Sequence, residues 1–354
     1  MNEKVLMKGN EAIAEAAIAA GCRHFFGYPI TPQTEVAAYM SKRMPKIDGV
    51  YLQAESEVAS INMVLGAGAA GVRVMTSTSS PGISLMAEGI SYLAGSDVPC
   101  LIVNVQRGGP GLGGIQPSQA DYFQATKSTA HGDFHILVFA PSTVQETVDM
   151  IATAFELGDK YRMPAMVLSD GMLGQMMEPV VLPEAREPDN DSKDWAVSGH
   201  KDKREHNVVN SLYINPQELE TLVKARFERY AEIKEKHQMA EEYLADDADI
   251  IIVAYGSSSR VSRSAIDAAR KQGIKVGMIR PITLWPFPEK VINKHVGHAK
   301  AFLSVEMSMG QMVDDVKLVV NGRVPVEFYG RTGGMIPTPN EVLEQIVRIN
   351  GGVQ

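Results

Sequence analysis

Three residues of this chain have the type and placement to handle a small anion and a proton: Thr31, Glu57 and Arg107. Thr31 lies in Gly27-Tyr-Pro-Ile-Thr-Pro32, set directly after an apolar run. Each proline fixes its own φ and pushes the residue before it toward extended geometry, so the loop is nearly rigid. Thr31 is expected at a helix N-cap with Pro32 at the first helical position, where free N–H groups favour an anion. Thr-Pro is equally a common helix start with no chemistry attached. Glu57 opens a helix of mostly small and apolar residues, Val58 to Gly71. The helix dipole alone attracts carboxylates to a first turn and accounts for Glu55 and Glu57 equally. A carboxyl held against Ala, Gly and Met is nevertheless poorly solvated, so its pKa should rise and it could share a proton with a heterocycle nitrogen. Arg107 ends another apolar run at the mouth of a glycine-rich loop. Its guanidinium suits bidentate capture of a carboxylate, or it is simply an exposed arginine at a strand end.

Other motifs lead away from common chemistries. Gly109-Pro-Gly-Leu-Gly-Gly114 has the GxGxxG form, but Gln116-Pro117 interrupts the helix that a dinucleotide site needs. Asp133 precedes its strand instead of ending it, so the motif reads as a close-approach glycine loop. His131 and His135 are spaced i, i+4, yet a strand-like run begins at His135, and no metal site is expected in this chain. Cys22 and Cys100 are too few for a disulfide framework, a zinc site or a four-thiolate iron–sulfur cluster.

The elements that must position these residues alternate. Strands are predicted at His24–Tyr28, Val50–Gln53, Val72–Thr76, Cys100–Val105, His135–Phe139 and Ala165–Ser169. Helices are predicted near 10–20, 33–43, 56–69, 82–94 and 142–158, the last opened by a capping box of Ser142 and Gln145. Short, continuous apolar strands between helices imply a doubly wound parallel sheet covered on both faces. Thr31, Glu57 and Arg107 then all fall at the carboxyl edge of that sheet, where open α/β folds bind ligands.

The first unit is expected to span 1–178. A linker, 179–248, follows: charged and aperiodic from Glu184 to Glu205, then an amphipathic helix from Asn215 with Leu219, Leu222, Val223, Phe227, Tyr230 and Ile233 on one face. A second, smaller α/β unit occupies 249–354, with strands Ile250–Tyr255, Lys275–Ile279, Ala301–Val305 and Val324–Tyr329 and a last helix capped by Thr338. The length of 354 residues fits such a division. A net charge of −8 argues against nucleic acid or an anionic membrane surface as partner. No apolar run reaches the ~20 residues of a membrane span, and the start lacks the apolar core of a signal peptide. A cytoplasmic protein is expected.

With these residues in place the chain resembles the alpha subunit of 2-oxoacid:ferredoxin oxidoreductases over essentially its whole length. The resemblance rests on GYPITP, Glu57, Thr76-Ser-Thr-Ser-Ser-Pro-Gly82, Gln106-Arg-Gly-Gly-Pro-Gly111, Arg280-Pro-Ile-Thr-Leu-Trp-Pro286 and Gly330-Arg-Thr-Gly-Gly334. It implies that the first unit is the pyrimidine-binding half of a thiamine diphosphate enzyme and that the second is like a transketolase C-terminal domain. It implies that Glu57 contacts the aminopyrimidine and promotes its imino tautomer, so that C2 can lose its proton. Thr31 and Arg107 would contact the 2-oxoacid, Arg107 through its carboxylate, and Tyr28, Pro29, Ile30 and Ser80 would line the cofactor pocket. The Gly-Asp-Gly…Asn signature for diphosphate and Mg²⁺ is missing, Gly132-Asp133-Phe134 being the nearest stretch. Mg²⁺ and the [4Fe–4S] clusters are therefore expected on partners: a beta subunit for the diphosphate, and gamma and delta subunits or a fused equivalent for the clusters. Ferredoxin is the expected electron acceptor, and a dimer of this chain is expected.

The loop from Gly108 to Tyr122 is more like the branched-chain members, which convert 2-oxoisovalerate and CoA to acyl-CoA and CO₂. The 2-oxoglutarate members tend to carry Gly-Pro-Ser-Thr-Gly there and would need a second cation, and no basic residue occurs from Gly108 to Thr126. Pyruvate-specific members are usually longer fused chains. Two readings of other kinds compete: a non-catalytic α/β module that holds a small anion, for which Glu57 would be useless, and a transketolase-like enzyme working without ferredoxin.

Overall fold

Apolar runs too short for helices build the centre of the molecule. The computed structural model describes residues 4–127, 129–188 and 193–352, so part of the Glu184–Glu205 excursion lies outside the described residues. The strands of the first half are β1 (Val5–Lys8), β2 (His24–Gly27), β3 (Val50–Gln53), β4 (Val74–Thr78), β5 (Leu101–Gln106), β6 (Leu137–Phe139), β7 (Ala165–Asp170) and β8 (Met177–Val180). Those that follow are β9 (Ala240–Tyr243), β10 (Ile250–Val253), β11 (Val276–Pro281), β12 (Thr283–Trp285), β13 (Ala301–Glu306) and β14 (Val326–Gly330).

The larger sheet has the order β12-β6-β7-β5-β4-β2-β3 and is parallel except for β12. Every residue of β4, β5 and β7 is buried, which requires cover on both faces. Helices Gly9–Ala19 and Val144–Tyr161 pack against each other, as do Glu57–Ala69 and Pro81–Gly95. The chain leaves β2 for the edge strand β3 and then crosses back to lay β4 on the other side of β2. This reversal opens a crevice at the carboxyl ends of the strands.

A five-stranded sheet, β14-β13-β10-β11-β9, forms the second layer system, with β9 antiparallel and the rest parallel. Two strands tie the parts together. β9 comes from the stretch expected as linker, and β12 follows β11 directly but leaves that sheet to pair with β6. Arg280, almost wholly buried, grips both halves: Nη2 and Nη1 reach Glu146 at 2.5 and 3.1 Å, and Nε reaches Glu241 at 2.7 Å. β1 and β8 form a separate antiparallel pair.

Three local expectations need correction. The helix after β2 begins at Thr34 with Gln33 at its N-cap, not at Pro32, because Gln33 N–H donates back to Ile30 O and closes a turn first. The helix Val144–Tyr161 is capped one residue later than expected: Thr143 Oγ1 accepts from Glu146 N–H, while Ser142 donates to the Glu146 carboxylate. The helix Pro216–Lys236 buries Arg226, Tyr230 and Ile233, but Leu219 and Phe227 are 42% and 43% exposed. Its first half is anchored by Arg226, which donates to Gly95 O and Asp97, instead of by an apolar stripe. Both thiols are buried, and burial pushes Cys22 up to about 12 and raises Cys100 further. No described helix is long and apolar enough to cross a membrane.

Candidate active site

The loops after β2, β3, β4 and β5 converge on the crevice. Ser56 caps the helix Glu57–Ala69 by accepting from Ala59 N–H at 3.2 Å, which sets Glu57 at its first position. The Glu57 side chain is 4% exposed, and among the described residues no donor reaches its carboxylate. It lies against Gly82: a Cβ there would sit 2.9 Å from Glu57 Oε1 and 1.9 Å from Thr78 Oγ1. Only glycine lets the carboxylate and that hydroxyl approach the start of the helix Pro81–Gly95 together. The hydroxyls of Thr78 and Ser79 are buried without a hydrogen-bond partner. Such groups are uncommon in folded proteins and mark places where something else supplies the partner.

Arg107 is 7% exposed, so it is not a solvated strand end. Its Nη1 donates to Thr31 O at 3.0 Å and its Nη2 to Leu112 O at 3.1 Å, while Nε is buried without a partner. The guanidinium is thereby aimed, with N–H groups to spare. Thr31 itself is exposed and sits beside Arg107 through its carbonyl. Tyr28 and Pro29 are exposed, and Ile30 is half-buried. Gln33, which sequence reasoning passed over, holds this loop in place: its Oε1 accepts from Ser77 Oγ at 2.6 Å and its Nε2 donates to Tyr28 O at 3.3 Å.

Ser80 takes positive φ (22°), an uncommon conformation for a side-chain residue. Its hydroxyl is already engaged, accepting from Arg107 N–H at 3.0 Å and donating to Asp121 Oδ2 at 2.6 Å. Asn104 completes the set through Ser80 N–H and Asp121. Burial raises the Asp121 carboxyl above the usual range, with the hydrogen bonds from Ser80 and Asn104 opposing it. The glycine loop is compact: Gly114 N–H donates to Gly108 O, and Gly113 (φ 60°) passes so close that a Cβ would lie 1.8 Å from that oxygen. Leu112 and Ile115 project from it, 82% and 57% exposed.

The family model described as pyruvate flavodoxin/ferredoxin oxidoreductase, thiamine diphosphate-binding, matches residues 15–246. The pyruvate:ferredoxin oxidoreductase core domain II model matches residues 248–342. The chain belongs to the 2-oxoacid:ferredoxin oxidoreductases. It is 48% identical to the ketoisovalerate oxidoreductase subunit VorB of Methanothermobacter thermautotrophicus, over 98% of each chain. It is 37% identical to the 2-oxoglutarate synthase subunit KorA of Methanothermobacter marburgensis, over 98% of this chain and 99% of that one. A solved 2-oxoglutarate:ferredoxin oxidoreductase from Magnetococcus marinus superposes with a TM-score of 0.84 at 28% identity. That match covers 98% of this chain and 65% of the longer neighbour.

As a member of this enzyme family, the chain carries a thiamine diphosphate-binding domain and is not a bare anion-binding module. The expected residues fall into two groups in the crevice. Glu57 lies with Thr78 and Gly82, and Arg107 lies with Thr31 and Ser80. Gln33, Thr78, Asn104 and Asp121 were missed. The hydroxyl-rich run after Val74 signalled that β4 ends in polar chemistry, but nothing local pairs Ser80 with Asp121.

Proposed function

We propose that this chain is the alpha subunit of a cytoplasmic, ferredoxin-dependent oxidoreductase that oxidatively decarboxylates a branched-chain 2-oxoacid, 2-oxoisovalerate, with CoA as acyl acceptor. The observation that carries the substrate is the environment of Arg107. One aimed guanidinium serves one carboxylate, and the loop beside it offers Leu112 and Ile115 with no cation from Gly108 to Thr126. The next basic residue, Lys127, is occupied by Asp315 at 2.5 Å. An apolar branched tail suits such a mouth, whereas a distal carboxylate would lack a partner. The greater identity to the ketoisovalerate enzyme supports the same choice.

The residues fit the aminopyrimidine half of thiamine diphosphate: a buried carboxylate, beside buried hydroxyls without partners, at a helix start. When bound, the cofactor supplies the electron sink that lets a 2-oxoacid lose CO₂. Glu57 holds and returns a proton at a ring nitrogen, from a carboxyl shielded by Gly82 and the small residues of its own helix. Tyr28, Pro29, Ile30 and Ser80 would line the pocket for the cofactor. Thr31 and Arg107 orient the 2-oxoacid. The diphosphate with its Mg²⁺ belongs to a beta subunit, and the [4Fe–4S] clusters that pass electrons to ferredoxin belong to gamma and delta subunits or a fused equivalent.

A 2-oxoglutarate enzyme is the second reading, favoured by the 0.84 superposition. Assay of the assembled complex with a redox dye separates them. We expect kcat/KM for 2-oxoisovalerate to exceed that for 2-oxoglutarate and pyruvate by about tenfold or more, a pocket-discrimination scale. The reverse order overturns the substrate, and silence with every 2-oxoacid overturns the activity.

A further inference from the structure

We propose that Asp121 is a positioning residue for 2-oxoacid binding, acting through Ser80 on Arg107. The inference rests on the reading that Arg107 captures the substrate carboxylate. Asp121 lies outside the predicted machinery, in the stretch between the glycine loop and the helix Tyr122–Thr126. One of its oxygens receives both Ser80 Oγ–H at 2.6 Å and Asn104 Nδ2–H at 2.9 Å. Its own N–H donates to Gln106 Oε1 at 3.2 Å. Three segments distant in sequence thereby meet on one carboxylate: the turn after β4, the strand β5 and the loop that follows it.

The consequence falls on Arg107. Ser80 Oγ can donate only one hydrogen, and giving it to Asp121 leaves its lone pairs to accept from Arg107 N–H at 3.0 Å. The Arg107 backbone is then fixed at the strand end, while Thr31 O and Leu112 O fix the guanidinium. Ser80 is also kept at φ 22°, which the surrounding bonds must hold. Without an acceptor at Asp121, the hydroxyl is left only the long contact to Arg107 O at 3.3 Å, and the turn that presents it to the Arg107 amide loses its tie to the far loop. A shift of about an ångström suffices to misalign bidentate capture.

The residues beside Asp121 give it a firm base. Gln119 bonds Tyr255 O and Ser258 Oγ of the second unit at 2.8 and 2.6 Å, and Tyr122 O–H donates to Asp315 at 2.5 Å. Asp121 therefore sits on a loop clamped from both ends and cannot swing away from Ser80 without breaking these bonds.

The test uses the assembled complex, with KM and kcat for the 2-oxoacid and thiamine diphosphate affinity measured separately. Asp121→Ala should raise KM by about tenfold, the scale of a lost hydrogen bond to a charged group, with kcat and cofactor affinity within about threefold. Asp121→Asn keeps an acceptor oxygen and should stay near wild type. Ser80→Ala cuts the link to the Arg107 amide without emptying the Asp121 site, and should raise KM likewise even where Asp121→Ala fails to assemble. Arg107→Lys in parallel separates the two claims. If it raises KM while Asp121→Ala and Ser80→Ala do not, Asp121 has no positioning role. If it leaves KM unchanged, the reading of Arg107 itself fails. A loss of kcat and cofactor affinity without a KM change in Asp121→Ala also overturns the proposal.

Discussion

Glu57 and Gly82 make one packed unit, because the place where a side chain would grow from Gly82 is already filled by Thr78 Oγ1 and the Glu57 carboxylate. The two positions should fail differently. Glu57→Gln removes the proton-carrying group and should slow turnover of the complex by about two orders of magnitude, a general acid–base loss, without affecting assembly. Gly82→Ala leaves the carboxyl in place but displaces it, so both kcat and cofactor affinity should fall. Turnover of Glu57→Gln within threefold of wild type would remove Glu57 from the chemistry. Residue type and strand-end placement single out Glu57 and Arg107 in the sequence, and the structure places both, buried, after β3 and β5. The sequence could not announce Asp121, whose partners Ser80 and Asn104 lie 41 and 17 positions away with no periodicity to link them. Thr31 is expected as a cap, but one extra turn intervenes before the helix and Gln33 takes that position.

Among the elements, β4, β5 and β7 were legible because complete burial requires unbroken apolar residues. β12 was not, since Thr283–Trp285 is three residues long and follows β11 as though part of the same run. It matters out of proportion to its length. Trp285 stacks on His135 at 4.7 Å, with Tyr230 and Phe227 of the helix Pro216–Lys236 closing around the imidazole at 5.5 and 6.1 Å. Burial, then Lys234 and Lys127, lowers the His135 pKa from 6.5 to about 4. Between those values the unfolded chain binds a proton that the folded chain refuses. The stability that His135 contributes is thus complete above pH 6.5 and lost as pH falls toward 4. Melting of the isolated chain should therefore show a pH dependence in that window that His135→Phe reduces. Equal slopes in the two proteins would mean that His135 titrates alike in the folded and unfolded chain.

At the scale of the molecule, the chain has only two cysteines, both sealed in the core, and the proposed function gives the diphosphate and its Mg²⁺ to a partner. Purified alone, the chain should be colourless, iron-free and inactive, and should bind thiamine diphosphate weakly in calorimetry with Mg²⁺. Stoichiometric iron or tight Mg²⁺-dependent binding by the isolated chain contradicts the divided site. The two-unit outline was legible from alternating strands and helices, but the strand exchanged between them was not, because pairing at long range leaves no local mark. That exchange sets an order of events during synthesis. β6 emerges from the ribosome 146 residues before β12 (Leu137 to Thr283), roughly seven to thirty seconds at ordinary elongation rates. Throughout that interval the growing chain carries a bare, apolar sheet margin that can pair with any neighbouring nascent chain. The second half thus acts as the closing stitch of the first, and the cell must shelter an unfinished border until that stitch arrives.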